Sequence, residues 1–500
     1  MTPSSKAKLI VAYKDLLKKG KLKKDKDFEK LLVKRAVRTM SGVSVITVLS
    51  KPFVCPGKCV YCPTEPDMPK SYLSNEPAAA RAKMNLFDPI RQVDMRIKAL
   101  INNGHQVDKL ELLILGGTWS VYPDKYQKEF VRDLFYAANT FDDKKKRKPL
   151  SLREEQDINE NAKYKIIGLT PETRPDYINE HEIKRMRELG ATRVQLGVQH
   201  TDNKILDLIV RGHSIEQSIK ATKMLKEVGL KVDHHYMPDL PGSTPKKDLE
   251  MMKYVYSSPD LQPDQVKIYP CIVNEYAELN KWYQEGKYKP FSAKQLLNLL
   301  LKIKEITPPW IRINRLIRDI PEESIIAGNS VTNLRQYLQA EIKKQGKSCK
   351  CLRCREVRDE NIKGEEVILV KREYRASEGD EIFISFESKD NKKLYAFLRL
   401  RFNDNLKNNI FTELKNSSLV RELHVYGKMI PTYSEEQDDE ISQTQHMGFG
   451  KKLMAEAECI TKERGVNKIA VISGIGVRNY YRKLGYKLEG TYMTKILANY

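Results

Sequence analysis

Cys55-Pro56-Gly57-Lys58-Cys59-Val60-Tyr61-Cys62 sets three cysteines at C-x3-C-x2-C spacing, and its proline and glycine keep the segment a loop. Three thiolates on one short loop can hold three irons of a 4Fe–4S cube and leave the fourth iron without a protein ligand. Such an open iron can chelate the amino and carboxylate groups of S-adenosylmethionine. The cofactor then supplies the difficult chemistry and the protein places it. A zinc knuckle would need a fourth ligand close by, and no further Cys or His lies nearer in sequence than His105.

Moving outward, 44–49 is a β-rich run leading into the loop. After it, short apolar runs at 109–115, 165–169, 193–198, 231–237, 265–269 and 310–316 alternate with amphipathic helical stretches such as 125–138, 215–228 and 293–305. That alternation predicts an α/β fold with a parallel sheet: a partial or complete β/α (TIM-like) barrel with its chemistry at the C-terminal strand ends. The charged stretch 141–163 lacks periodicity and reads as a surface excursion.

The strand-end rule selects residues. Gly116-Gly117-Thr118 would let backbone approach the amino acid part of S-adenosylmethionine, or is an ordinary tight turn. Glu172 and Arg174 suit ribose hydroxyls and a carboxylate, or form a local ion pair. Gln199 ends the next strand. Arg211, His213, His234, His235, Asp239 and Lys267 crowd other strand ends as weaker candidates, and Arg312, Arg315 and Arg318 could meet phosphates or be surface arginines.

The 500-residue chain is too long for one core. Formal net charge is +22, and residues 1–40 alone hold 13 Lys/Arg against 4 Asp/Glu. Such an excess favours a polyanion, because neutralised phosphates release counterions; a lysine-rich solvated surface is the alternative. Residues 1–45 read as basic amphipathic helices that could present lysines to phosphates. Six of the eight cysteines fall in two triplets, which is metal-site usage in a reducing compartment. No signal peptide or membrane span is read, so a cytoplasmic location is expected.

The second triplet, Cys349, Cys351 and Cys354, suits zinc, with a fourth ligand from a distant His or Cys271; free thiols or a second cluster are alternatives. Flanking Lys347, Lys350, Arg353, Arg355 and Arg358 could face an RNA backbone. Strands are then expected at 381–388, 394–402 and 419–426. Gln445-His-Met-Gly448-Phe449-Gly450-Lys451 opens a helix, where free N–H groups and the helix dipole suit a pyrophosphate. Downstream come 468–473 and Asn479-Tyr480-Tyr481-Arg-Lys-Leu-Gly. This is the order of a GNAT acetyl-CoA-binding acetyltransferase, with Tyr480 and Tyr481 as candidate catalytic phenols beside the thioester, or as half-buried helix residues.

The whole order resembles the catalytic subunit of Elongator, the tRNA wobble-uridine carboxymethyltransferase family also described as tRNA uridine acetyltransferases. Cys59-Val-Tyr-Cys62-Pro, Gly116-Gly-Thr118, Glu172-Thr-Arg-Pro-Asp176-Tyr, Gly197-Val-Gln199, Arg421-Glu-Leu-His-Val-Tyr-Gly427 and Asn479-Tyr-Tyr-Arg-Lys483 carry the likeness over nearly the full chain. It implies a basic tRNA-binding segment (1–45), a radical-SAM core (46–330), a zinc linker (331–360) and a GNAT domain (361–500). It further implies radical transfer of the acetyl-CoA two-carbon unit to carbon 5 of uridine 34 in a tRNA anticodon, giving 5-carboxymethyluridine. Acetyl-CoA contacts are implied at Lys109, Glu422, Leu423, His424, Val425, Phe449, Gly450, Lys451, Tyr480 and Tyr481. Lys109 begins a strand of the other module, so barrel geometry alone does not account for it. The spacing of the first triplet and the retained second triplet point to a bacterial, archaeal or viral member, and nothing in the sequence demands other Elongator subunits. Competing readings are a protein lysine acetyltransferase with a structural iron–sulfur half, and a tRNA-binding scaffold.

Overall fold

The computed structural model describes residues 42–331, 333–357, 366–426 and 448–498, with scattered positions between 9 and 32. Its first sheet has seven parallel strands: β1 (Ser44–Leu49), β2 (Lys109–Leu115), β3 (Lys165–Thr173), β4 (Arg193–Gln199), β5 (Lys231–Tyr236), β6 (Gln265–Ile268) and, following the two-residue β7 (Ile272–Val273), β8 (Arg312–Arg315). The order is β1-β2-β3-β4-β5-β6-β8, and among the described residues β1 and β8 do not pair. The sheet is therefore a curled half-barrel, the partial form of the expected fold. β7 pairs with β9 (Ala327–Gly328) in a separate two-stranded ribbon.

Alternation along each strand explains the two faces. In β2, Leu110, Leu112 and Ile114 are buried against helices, while Lys109, Glu111, Leu113 and Leu115 turn into the barrel. The outer helices match. Helix Ala293–Glu305 opens with a capping box from Ser292 and Gln295 and buries Leu296, Leu299, Leu300 and Ile303 on one stripe. Each such leucine contributes roughly 1.5–3 kcal/mol.

A second seven-stranded sheet follows: β10 (Val367–Arg375), β11 (Gly379–Ser388), β12 (Leu394–Asn403), β13 (Ser418–Val425), β14 (Lys468–Val471), β15 (Lys487–Glu489) and β16 (Tyr492–Ile496), in the order β10-β11-β12-β13-β14-β16-β15. It is antiparallel through β13. β13 and β14 run parallel, joined by a connection that includes helix Phe449–Glu463. Sequence reading missed β10, an edge strand whose charged residues alternate outward.

The second sheet packs on the N-terminal ends of the barrel strands. Asn403 donates to the Glu227 carbonyl at 2.9 Å and Tyr492 to the Val228 carbonyl at 2.8 Å. A Cβ on Gly474 would collide with the Ile167 carbonyl. At the centre lies a buried ion cluster. Arg421 holds Asp264 at 2.6 Å and Glu381 at 2.7 Å, Arg401 holds Glu381 at 3.1 Å, and Lys226 lies 3.5 Å from Glu381.

Several expectations need correction. The stretch 141–163 is not a mere surface excursion: Ser151 caps helix Leu152–Asn159, whose Glu155 and Asn159 are fully buried and bond Arg147 and the Tyr164 carbonyl. Its buried face is polar, so hydrophobic periodicity could not reveal it. Arg318 and Arg312 are not free surface arginines: Arg318 pairs with Glu76 and lies over Tyr72, and Arg312 pairs with Glu356. Arg353 bonds the Asn314 carbonyl and Arg355 the buried Glu387, so these two turn inward instead of toward RNA. Arg358 lies outside the described residues.

Candidate active site

The cysteine loop lies at the C-terminal mouth of the half-barrel. Lys70 Nζ donates to the Gly57 carbonyl at 3.0 Å, and Thr118 Oγ1 lies 3.6 Å from Cys55 Sγ. A Cβ on Gly57 would sit 3.6 Å from both Cys55 Sγ and Cys59 Sγ, so the two sulfurs converge on one point. Burial alone would raise the Cys59 thiol, but the Arg211 guanidinium, donating at 3.4 Å, pulls it below its ordinary value.

A zinc–sulfur bond of about 2.3 Å puts ligand sulfurs roughly 3.8 Å apart. Among the described residues, three ligand atoms gather within 4.8 Å only at Cys349, Cys351 and Cys354. The mouth triplet is wider, so it fits a multi-iron group better than one ion. Its three thiols on a loop suit a cluster with one open corner.

Around the loop stand the other sequence-selected residues. Gly116 and Gly117 have positive φ (134° and 97°), and a Cβ on Gly116 would strike Ser50. Glu172 accepts from Tyr72 Oη at 2.5 Å and lies 3.4 Å from His235 Nδ1. Burial would raise its carboxyl, yet His235 and Lys267 bring it down to about 2. Arg174 is tied to Asp176 through Nε and Nη2, the local ion pair left open above. Gln199 ends β4 at φ 75°, a strained conformation for a non-glycine residue. Lys267 donates to Gln195 at 2.6 Å, and burial lowers its ammonium to about 8.

Of the weaker candidates, His235 and Lys267 line the mouth, and so does Arg211. His234 is buried between Thr222 and Tyr236, His213 Nε2 lies 3.2 Å from the Gly197 carbonyl, and Asp239 accepts from the Phe291 amide; these three are framework. Tyr72 and Lys70 were missed, since nothing local marks residues that act through a fold brought together over long chain separations.

At the opposite end, Lys109 begins β2 and lines the same space as residues of the second sheet. Glu422 accepts from Arg399 at 2.9 Å and Lys231 at 3.3 Å, and His424 stacks on Phe397. Leu423, Val425 and Lys451 line the same space. Gly448 caps helix Phe449–Glu463 at φ 70°, and Phe449 is buried in the core. A Cβ on Gly450 would meet Tyr480 Oη at 2.8 Å, so this glycine makes room for the phenol. Tyr481 is 7% exposed and packs edge-on against Tyr480 at 5.2 Å. Gln445 lies outside the described residues.

Both ends open on one cavity of about 1380 Å³. It follows the barrel interior from Lys109 and Lys231, past Glu111 and Gln265, to Glu172 and Cys55. β2 alone spans about 20 Å of that path. Barrel interiors are usually filled with branched apolar side chains; this one is polar and internally paired. Arg193 bonds Glu111 at 2.6 Å and Gln265 at 2.7 Å, and Asn314 bonds Asp233 at 2.8 Å.

The second triplet docks beside β8, where Leu352 N donates to the Ile311 carbonyl. Hydrogen bonds from Cys349 and Cys351, with the Lys304 and Arg335 cations behind them, hold the Cys354 thiol well below its ordinary value. Cys271 is not its fourth ligand: it packs with Val273 and Tyr288 in a separate cluster.

The Radical SAM superfamily model matches residues 50–255, and the Radical_SAM C-terminal domain model matches 263–344. The tRNA uridine(34) acetyltransferase of Methanocaldococcus infernus is 45% identical over 482 residues, covering 93% of this chain and 88% of its own. The Dehalococcoides mccartyi protein of the same name is 41% identical, covering 93% and 100%. Elongator complex protein 3 of Saccharomyces cerevisiae is 37% identical, covering 92% and 84%. Among solved structures, the archaeal Methanocaldococcus infernus Elp3 with N-terminus deletion (1-46) aligns with a TM-score of 0.77 at 40% identity, covering 91% of this chain and 99% of that one.

Proposed function

This chain belongs to the family of tRNA uridine(34) acetyltransferases and Elongator complex protein 3, and from that membership we propose that it modifies tRNA wobble uridine by bringing an acetyl-CoA two-carbon unit to a radical site. It is an acyltransferase enzyme with a radical-SAM domain. The finer reading is that the product is 5-carboxymethyluridine at position 34, that 361–500 is a GNAT module, and that 331–360 is a zinc linker completed by a fourth ligand.

A 4Fe–4S cluster with S-adenosylmethionine, when bound, supplies one-electron chemistry able to take hydrogen from an unreactive carbon. Cys55, Cys59 and Cys62 would hold that cluster. Gly116, Gly117 and Thr118 leave backbone room beside it, while Glu172, kept ionised at neutral pH, and Gln199 offer acceptors for hydroxyl and ammonium groups. Arg174 reaches toward the cysteine loop. At the far end, the N-terminus of helix Phe449–Glu463 suits a pyrophosphate. Lys109 lines that pocket from the barrel side, and the Tyr480 phenol would donate its proton to a departing thiolate. Formation of the carboxymethyl product would also need water to hydrolyse the thioester.

The observation carrying this reading is the shared cavity: residues from the cysteine loop and from the Tyr480 helix line one volume. A protein lysine acetyltransferase would need only the second sheet. Cys59→Ala separates the two. We expect it to abolish uridine modification, read by nucleoside mass spectrometry, while acetyl-CoA affinity by calorimetry stays within about twofold of wild type. Retained acetyl transfer to lysine with no change in tRNA would favour the alternative.

A further inference from the structure

The Arg211 guanidinium is buried beneath the mouth, at 6% exposure. Nη1 donates to Cys59 Sγ at 3.4 Å, and Nη2 donates to the Gly197 carbonyl. Backbone thus fixes one prong of the fork and aims the other at sulfur. Gly197 permits this, since a Cβ there would stand 2.7 Å from Nη2. Among the described residues, no carboxylate lies within ion-pair distance of Arg211. Asp176, the acid of that neighbourhood, is committed to Arg174.

A buried guanidinium without an anion is costly, and the arrangement balances once negative charge sits at the cysteine loop. We propose that Arg211 is the counter-charge of the iron–sulfur cluster and makes it easier to reduce through its hydrogen bond to the Cys59 sulfur. This rests on the cluster reading given above. Reduction adds one negative charge to a group already carrying three thiolates. A cation and N–H donor at a ligand sulfur stabilise that reduced form more than the oxidised one, and hydrogen bonds to sulfur are among the terms that set such potentials. Arg211 acts through Cys59 and is a positioning residue.

The test is anaerobic reconstitution of the full chain with iron and sulfide for wild type, Arg211→Met, Arg211→Lys and Gly197→Ala. Iron per chain and the midpoint potential, from an EPR-monitored redox titration, are the readouts. At equal iron content, Arg211→Met should lower the reduced-to-oxidised ratio about tenfold at a fixed potential, which is about 59 mV for a one-electron couple. Arg211→Lys keeps the charge and should recover part of the shift. Gly197→Ala should push the guanidinium off the sulfur and shift the midpoint the same way by less. Equal midpoints across the set would overturn the proposal. Should Arg211→Met fail to hold iron, the lysine and alanine variants decide by the same criterion. A wild type that takes up no cluster would contradict the cluster reading itself.

Discussion

Lys226 shows how a single residue can be costly where it stands. It is fully buried, and among the described residues it shares its ion cluster with Arg399, Arg401 and Arg421, four cations facing Asp264 and Glu381. Burial lowers its ammonium to about 8, against the pull of Glu381 and Asp264. Between about pH 8 and the unfolded value near 10.4 the unfolded chain holds a proton the folded one has lost, so stability rises with pH there. Lys226→Met should therefore unfold in urea no earlier than wild type at pH 7, and its advantage should shrink from pH 8 to pH 10; a loss of several kcal/mol at pH 7 would refute this. Asp264→Asn should do the reverse, costing about 3–5 kcal/mol because it removes one of the two carboxylates that balance the buried cations and leaves Arg421 with Glu381 alone. None of this was legible in the sequence, because Lys226 reads there as one solvated helix lysine among many. The cysteines, Gly116 and Gly117 were legible, because metal ligation and positive φ restrict residue type wherever they occur.

Elements divided along the same line. All seven barrel strands showed themselves, β1 as a β-rich run and the six after the cysteine loop as apolar runs, since a parallel strand is covered on its outer face by a helix. Helix Leu152–Asn159 and β10 did not, because one buries Glu155 and Asn159 and the other is a charged edge. The turn Gly474-Ile475-Gly476 has a role no local pattern announces. It presses on β3, with a Gly476 Cβ only 2.6 Å from the Lys165 Cβ and a Gly474 Cβ overlapping the Ile167 carbonyl. Backbone cannot yield as a flexible side chain would, so Gly474→Ala should cost about 1–3 kcal/mol. It should also split calorimetric unfolding into two transitions as the sheets uncouple. One unsplit transition at the wild-type temperature would show that the turn does not join them.

Across the whole molecule, stacking the second sheet on the barrel's N-terminal end brings Lys109 into one cavity with Glu422, Lys451 and Tyr480. It also makes the barrel interior continuous with a space lined by the second sheet. A parallel sheet followed by a second set of strands was readable in the sequence; their end-on stacking was not, because it depends on buried pairs such as Asp264–Arg421, 157 residues apart. No described helix is long and apolar enough to cross a membrane. The basic segment 1–40 lies largely outside the described residues, though Ile10, Tyr13 and Leu32 form a small buried cluster. Removing 1–40 should weaken tRNA binding and flatten its salt dependence; unchanged affinity and slope would assign the grip elsewhere. Under the proposed function, two sites serve one reaction. Its most direct measurement is anaerobic incubation of the reconstituted chain with S-adenosylmethionine, reductant, bulk tRNA and acetyl-CoA labelled with carbon-13 in the acetyl methyl. Nucleoside mass spectrometry should find the label in carboxymethylated uridine, dependent on Cys59 and on S-adenosylmethionine. Label on protein lysines with unmodified uridine, or labelled uridine formed without S-adenosylmethionine, would contradict it.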